Sequence, residues 1–327
     1  MKTILYYLGL IHLFMVFTPF FKTKTYYEDD NKQNKKLDSG AIIISNHRSW
    51  LDAILIAIRF FFKRMHFLAA NWYKNRLKFF GFAVRTAGGI FVDTNGQSFD
   101  FIEKSKRVIN KNRPILIFPE GDFKKEYEPQ KFSAGYIMLA AKTGAKIVPV
   151  VSDFNYGFFK RVHLMVGNHI DLSCYKEEEL TKTKIKDINE EIRNKFLMLF
   201  YQLKKKKAKR LEKKYRYDFI APQKGAVIRI FMGSYYHYGV YFNNDEVIQF
   251  GLSDNRTGGT PLVNSVSFIE FCGDKIPEVR VFKGKNKRYL RRIEDVEKYA
   301  KSCISQSNYC LARNNCIDFA NRITLNI

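Results

Sequence analysis

The chain is 327 residues long and 46% hydrophobic, enough for two ordinary domains with real cores. Its 56 Lys and Arg against 32 Asp and Glu leave a formal charge of +24, which draws the protein to a polyanion, with nucleic acid and anionic lipid as the candidates. Five cysteines, an odd number with no Cys-x-x-Cys among them, argue against a disulfide framework and against a zinc site, and make a reducing, cytosolic setting the default.

Residues 4–21 are mostly apolar and, at about 1.5 Å per residue, nearly long enough to span a hydrocarbon core. Tyr6, Tyr7, Gly9, His12 and Pro19 dilute the run, and Lys2, Lys22 and Lys24 flank it, so spanning the bilayer and lying in its interface both stay open. No small-x-small site follows, which argues against a cleaved signal peptide. The expectation is a membrane-anchoring segment over 1–24 and a polar connector over 26–38.

Ile42-Ile43-Ile44 reads as a short buried strand, Asn46-His47-Arg48 as a turn, and Ser49-x-x-Asp52 as the capping box of a helix. On one continuous helix His47 and Asp52 would stand roughly 140° apart. A strand-turn-helix arrangement instead puts the carboxylate within reach of the imidazole. Two readings stay open at this point, a working His-Asp pair or a turn histidine beside a helix cap. Arg59, Lys63, Arg64, Trp72, Lys74, Arg76, Lys78, Phe79, Phe80 and Arg85 then interleave cations with aromatics. Such a stretch stacks on bases or lies on anionic headgroups; next to an apolar N-terminus the membrane is favoured and nucleic acid disfavoured.

Ile115-Leu116-Ile117 leads into Phe118-Pro119-Glu120-Gly121, a turn at a strand end, where α/β folds place ligands. Any tight turn uses Pro119 and Gly121, but turn geometry does not explain a glutamate at the mouth of a buried strand. A helix over 136–142 and a strand over 146–151 follow, and this alternation predicts a mixed sheet flanked by helices. His163 and His169 have no partner at ligand spacing and read as structural.

Asn46-His47-Arg48-Ser49-Trp50-Leu51-Asp52, Gly88-Gly89-Ile90-Phe91-Val92-Asp93, Phe118-Pro119-Glu120-Gly121 and Ile147-Val148-Pro149-Val150 occur in an order and at spacings that resemble the glycerolphosphate acyltransferase family, which makes phosphatidic acid from lysophosphatidic acid. The resemblance covers roughly residues 40–170. It implies an α/β domain, placed here over 25–203, that moves an acyl chain from acyl-CoA or acyl carrier protein to a lysophospholipid hydroxyl. Both acyl carriers are substrates, and no bound cofactor is implied. In that family the histidine takes the hydroxyl proton and the aspartate holds the ring, roles that fall to His47 and Asp52, with Glu120 and Gly121 on the acceptor side. Two departures stand out. Thr94 occupies the place of an arginine that contacts the acceptor phosphate, and Asp122-Phe123 replaces a threonine-arginine pair. A phosphate needs cationic or amide donors. Arg85, Lys124, Lys125 and Lys131 are the candidates left, or else the acceptor is another hydroxyl-bearing lipid.

Residues 176–217 read as a charged helix ending in Lys204-Lys205-Lys206-Lys207-Ala208-Lys209-Arg210. The stretch 204–217 is taken as a basic linker, either solvated or touching a lipid surface, where each cation contributes about 1 kcal/mol. Beyond it, residues 225–231, 237–242 and 246–250 read as strands, with Asn243-Asn244-Asp245 as a hairpin turn. Near the end a helix starts at Cys316, capped by Asn314 or Asn315. A cysteine in a first turn gains from the N–H groups and the dipole as thiolate, and His237 is the one histidine in this part to serve it.

The segment from His237 to Gly251, Val263 to Phe271, and Asn315-Cys316 resemble the lecithin:retinol acyltransferase family of permuted papain-like thiol enzymes, over nearly all of 222–323. The resemblance implies an α+β thiol domain over 218–327 with Cys316 as nucleophile and His237 as its base. Many members carry a second histidine where Gln249 stands. Glutamine hydrogen-bonds His237 but carries no charge. The whole then reads as a membrane-associated lipid acyltransferase with its active sites facing the cytoplasm, anionic membrane lipids as its surface, and a second domain for acyl transfer or lipid hydrolysis. The competing readings are a thiol peptidase or amidase beside a non-catalytic or differently specific first domain, a polyanion-binding module, and a membrane scaffold built of two degenerate domains.

Overall fold

The structure, a computed structural model, describes residues 4, 6–9, 11, 22–29, 35–38, 40–49, 51–60, 62–70, 84–92, 100–123, 128–157, 160–175, 180–252, 260–310 and 314–326. The chain divides into two compact units, Met1–Phe200 and Tyr201–Ile327.

The first unit is built on a seven-stranded sheet. Its strands are β1 (Lys22–Tyr27), β2 (Ile42–Ser45), β3 (His66–Ala70), β4 (Gly89–Val92), β5 (Ile115–Ile117), β6 (Ile147–Ser152) and β7 (Arg161–Val166), in the order β1-β7-β6-β2-β5-β3-β4. Every neighbouring pair is parallel except β6 with β7. Ile42, Ile43 and Ile44 are fully buried, as a central strand covered on both faces requires. Helices α1 (Leu51–Arg59), α2 (Asp100–Ile109) and α3 (Gly135–Thr143) supply the connections. The mixed sheet flanked by helices that the alternation predicted is therefore present.

The register positions the site. Ile44 lies opposite Ile117, so the residues three beyond each, His47 and Glu120, emerge side by side at the C-terminal end of parallel strands. Ser45 lies opposite Val150, and just beyond them the Asn46 amide clamps Ser152: its Nδ2 donates to the Ser152 carbonyl at 3.0 Å and its Oδ1 accepts the Ser152 N–H at 2.9 Å.

Several expectations need correction. Residues 22–24, placed in the membrane segment, begin β1, which pairs with β7; most of residues 4–21 lie outside the described residues. Among the described residues no helix is long and apolar enough to cross a membrane. The basic and aromatic stretch contains β3, and residues 71–83 of it lie outside the described residues. His163 and His169 both have carboxylate partners, Asp153 at 2.9 Å and Asp38 at 3.1 Å; ligand spacing along the chain does not reveal pairs made across a sheet.

The second unit carries a six-stranded antiparallel sheet in the order β12-β11-β10-β9-β13-β8. The strands are β8 (Tyr215–Asp218), β9 (Ala226–Phe231), β10 (Tyr236–Asn243), β11 (Glu246–Gly251), β12 (Leu262–Val266) and β13 (Glu278–Phe282). The long helix α4 (Lys182–Lys209) enters it; α5 (Phe268–Cys272) and α6 (Ile293–Ser302) follow, and α7 (Cys316–Thr324) packs on β10 and β11. Residues 204–217 are no linker. Ala208 and Leu211 pack with Phe282 and Leu325, Lys205 pairs with Asp318 at 2.8 Å, Lys207 is buried, and Tyr215 opens β8. A run of lysines hides the apolar positions that dock this end of the helix.

Candidate active sites

In the first unit the turn after β2 brings His47 and Asp52 together. Asp52, in the first turn of α1, is buried, and its Oδ2 accepts three hydrogen bonds: Arg48 N–H at 2.7 Å, Ser49 N–H at 2.9 Å and His47 Nδ1 at 3.1 Å. Only half of the expected capping box forms. The carboxylate takes the Ser49 N–H, while Ser49 Oγ accepts from Leu51 N at 3.3 Å. Because the carboxylate is also tied to the turn's main chain, its position is set independently of the imidazole, as an orienting group needs.

The imidazole is held on its other sides as well. It stacks on Phe118 with ring centroids 3.7 Å apart and meets Phe123 at 4.4 Å. Phe123 is half of the Asp122-Phe123 departure, so an aromatic ring packs on the imidazole where a cation was expected. Glu120 is nearly buried and bridges two turns: Oε2 accepts His47 N–H at 3.2 Å and Oε1 accepts Gln130 N–H at 2.9 Å. Gly121 takes φ +79, a backbone that side chains rarely adopt, and lets the chain leave this turn. Lys131 adjoins Gln130 in the segment that hydrogen-bonds back to the Phe118–Glu120 turn through Ser133 N–H and Pro119 O at 2.7 Å. Arg85 has no hydrogen bond to His47, Asp52 or Glu120 among those between described residues. It precedes the turn into β4, at the N-terminal end of the parallel strands, and its guanidinium sits over Phe91. Lys124, Lys125 and Thr94 lie outside the described residues.

In the second unit Cys316 starts α7. Asn315 is its N-cap, with a full capping box to Asp318. The thiol is buried and lies 3.9 Å from the Tyr236 carbonyl, on the residue preceding His237. Burial pushes the thiol pKa up, only partly offset by main-chain N–H groups of Tyr238, Ile317 and Cys316. Burial likewise lowers the pKa of His237, against a hydrogen bond donated to Gln249 that raises it. Desolvation therefore outweighs the helix terminus, and both shifts favour the uncharged forms over the thiolate expected from helix position alone. Cross-strand register sets Gln249 near His237, with Gly239 opposite Gln249, and His237 Nε2 meets Gln249 Oε1 at 2.6 Å. Gly251 gives the ring room, since a Cβ there would stand 3.0 Å from His237 Cε1.

Sequence reasoning missed the Asn46 clamp, the Phe118 and Phe123 contacts, the Gln130 N–H on Glu120, and Asn264, which accepts from Gln249 Nε2 at 3.1 Å. Equal offsets after β2 and β5 would have pointed to the meeting of His47 and Glu120. Asn264 carries no local signal.

Two classes of domain, one after the other, account for these sites. The Acyltransferase family model matches residues 26–153 and the Lecithin retinol acyltransferase family model matches residues 221–326, so the chain contains a domain of each family. The first is homologous to 1-acyl-sn-glycerol-3-phosphate acyltransferases. One from Borreliella burgdorferi is 29% identical over 163 residues, 46% of this chain and 64% of that protein; one from Helicobacter pylori is 25% identical over 178 residues, 51% and 73% respectively. The chain thus spans less than two thirds of the length of the Borreliella relative. Among solved structures, the 1-acyl-sn-glycerophosphate (LPA) acyltransferase PlsC from Thermotoga maritima aligns with a TM-score of 0.41 at 17% identity, over 57% of this chain and 75% of that one.

Proposed function

We propose that the first unit transfers an acyl chain from acyl-CoA or acyl carrier protein to the hydroxyl of a lysophospholipid of the lysophosphatidic acid type. The observation that carries this is the His47–Asp52 pair at the C-terminal end of β2. With Nδ1–H donated to Asp52, Nε2 is the nitrogen left to take the acceptor's hydroxyl proton. The oxygen attacks the thioester carbon, the C–S bond breaks, and the imidazolium returns the proton to the departing thiolate. Lys131 flanks the acceptor side, and Phe123 narrows it. The test is acyl transfer from acyl-CoA to lysophosphatidic acid by wild type and His47→Ala.

The second unit, in this reading, is a permuted papain-like thiol domain that handles lipid acyl groups. Cys316 gives its proton to His237 and attacks an ester or thioester carbonyl; His237 then protonates the leaving group, and water, an amine or a hydroxyl opens the thioester. A lipid substrate is supported by the surface next to it. Phe231, Met232 and Tyr235 are exposed in the turn joining β9 to β10, immediately before His237. Strand register puts the exposed Phe219, Ile220 and Ile276 at this same end of the sheet. Release of fatty acid from phospholipid vesicles, lost in Cys316→Ala, supports this; cleavage of peptides instead makes the domain a thiol peptidase.

Membrane association, with the active sites on the cytoplasmic side, belongs to the same proposal. It is supported by the charge of +24, by the free cysteines, and by Ile4, Leu8 and Phe62, which are 64%, 58% and 92% exposed.

A further inference from the structure

The buried amides behind His237 form a chain that ends on two main-chain carbonyls. Asn264 Nδ2 donates to Gly251 O at 3.3 Å and to Leu262 O at 3.4 Å. A carbonyl only accepts, so these contacts fix the Asn264 amide with its nitrogen toward the main chain and its Oδ1 toward Gln249. Gln249 must then present its own nitrogen to Asn264, at 3.1 Å, and its oxygen to His237 Nε2, at 2.6 Å. An amide oxygen also only accepts, so Nε2 has to carry the hydrogen. A neutral imidazole has one N–H, which leaves Nδ1 with the lone pair.

The Cys316 thiol lies against the strand that carries this ring. Nδ1 is bonded to Cγ and is the ring nitrogen nearer its own strand. The Cys316 sulfur rests against that strand's main chain, at the Tyr236 carbonyl. We propose that Asn264 is a positioning residue of the thiol site: through Gln249 it selects the tautomer of His237 that can accept the Cys316 proton on Nδ1. Among the described residues Asn264 hydrogen-bonds Gln249, Gly251 and Leu262, and it acts on His237 through Gln249. Gln249 and Asn264 are both buried, so neither amide turns over without leaving a donor against a donor. In this arrangement the amide pair does by orientation what a charged third residue would do by electrostatics, and it contributes no titration of its own. The inference rests on the thiol-domain reading above, but its test does not depend on turnover.

Long-range 15N–1H imidazole spectra of the full chain report which ring nitrogen is protonated, and His237→Gln assigns the signal. Wild type is expected to show His237 as the Nε2–H tautomer with Nδ1 unprotonated. Asn264→Leu frees the Gln249 amide to turn, and is expected to give a mixture of tautomers and a slower reaction of Cys316 with iodoacetamide at neutral pH. Asn264→Asp keeps an acceptor toward Gln249 Nε2 and is expected to retain the wild-type tautomer, which separates loss of orientation from loss of fold. An Nδ1–H tautomer in wild type, or a leucine variant that folds with unchanged spectrum and thiol reactivity, overturns the assignment. Should the spectra come out as expected while phospholipid and thioester substrates remain untouched, the lipid reading fails and the tautomer assignment stands; turnover alongside an Nδ1–H ring gives the reverse.

Discussion

At the scale of single residues, the two units solve one problem differently. Each needs an imidazole held in one tautomer. In the first the holder is Asp52, a buried carboxylate fastened by two main-chain N–H groups, and in the second it is the uncharged Gln249. Asp52→Asn keeps an oxygen for Arg48 and Ser49 N–H but places an amide nitrogen where Asp52 Oδ1, buried with no hydrogen-bond partner among the described residues, now stands. The expected cost is about 1–3 kcal/mol of stability and a fall in acyl transfer on the order of 10²-fold or more, read by denaturant unfolding and by initial rates. His66 gives a prediction in pH. Its Nδ1 bonds the Gly88 carbonyl at 3.0 Å, and burial, with Arg64 next in importance, lowers its pKa from 6.5 to about 4. The folded state therefore binds fewer protons than the unfolded chain between these values. Stability is full above about 6.5, falls as the pH drops through about 4, and changes no further from this group below that. Urea unfolding of His66→Gln, compared with wild type at neutral and mildly acid pH, should show a shallower loss.

At the scale of elements, strand ends make both sites, and the register decides which side chains meet. The Asn46 clamp joins the ends of β2 and β6. Asn46→Leu leaves a buried N–H and a buried carbonyl without partners, and each group left so costs about 1–3 kcal/mol; a lower urea midpoint with an unchanged slope would register it. In the second sheet, Gly251→Ala puts a methyl against His237 Cε1. The expected result is a slower alkylation of Cys316 with little change in unfolding midpoint. Much of this was legible from the sequence. The apolar runs at Ile42 to Ile44, Ile115 to Ile117 and Ile147 to Val151 are strands, and the Asn243 to Glu246 segment is a hairpin turn. What escaped was set by contacts across elements. Lys22 to Tyr27 carries too many lysines to look like a strand and is held by pairing with β7; Lys205 and Lys207 look solvated until Asp318 and the second sheet stand beside them.

At the scale of the whole molecule, two acyltransferase-family domains follow one another on a strongly basic chain. Each site draws its named residues from one unit: His47, Asp52 and Glu120 from the first, His237, Gln249, Asn264 and Cys316 from the second. Their chemistry is accordingly expected to separate. Cys316→Ala should leave transfer to lysophosphatidic acid at the wild-type rate while abolishing fatty-acid release from phospholipid, and His47→Ala should do the opposite; both are read in one lipid extract by mass. The surface charge adds a dependence on conditions, since binding to anionic vesicles through lysines weakens as salt is raised, whereas insertion of Ile4, Leu8 and Phe62 does not.

The central claim is that the imidazole beside Asp52 is the base of an acyl transfer. Its most direct test is the initial rate of phosphatidic acid formation from acyl-CoA and lysophosphatidic acid in mixed vesicles, for purified wild type and His47→Ala at matched fold and vesicle binding. The account predicts formation by wild type and its loss on the order of 10²-fold or more in the variant. A His47→Ala protein that forms phosphatidic acid as fast as wild type would contradict it.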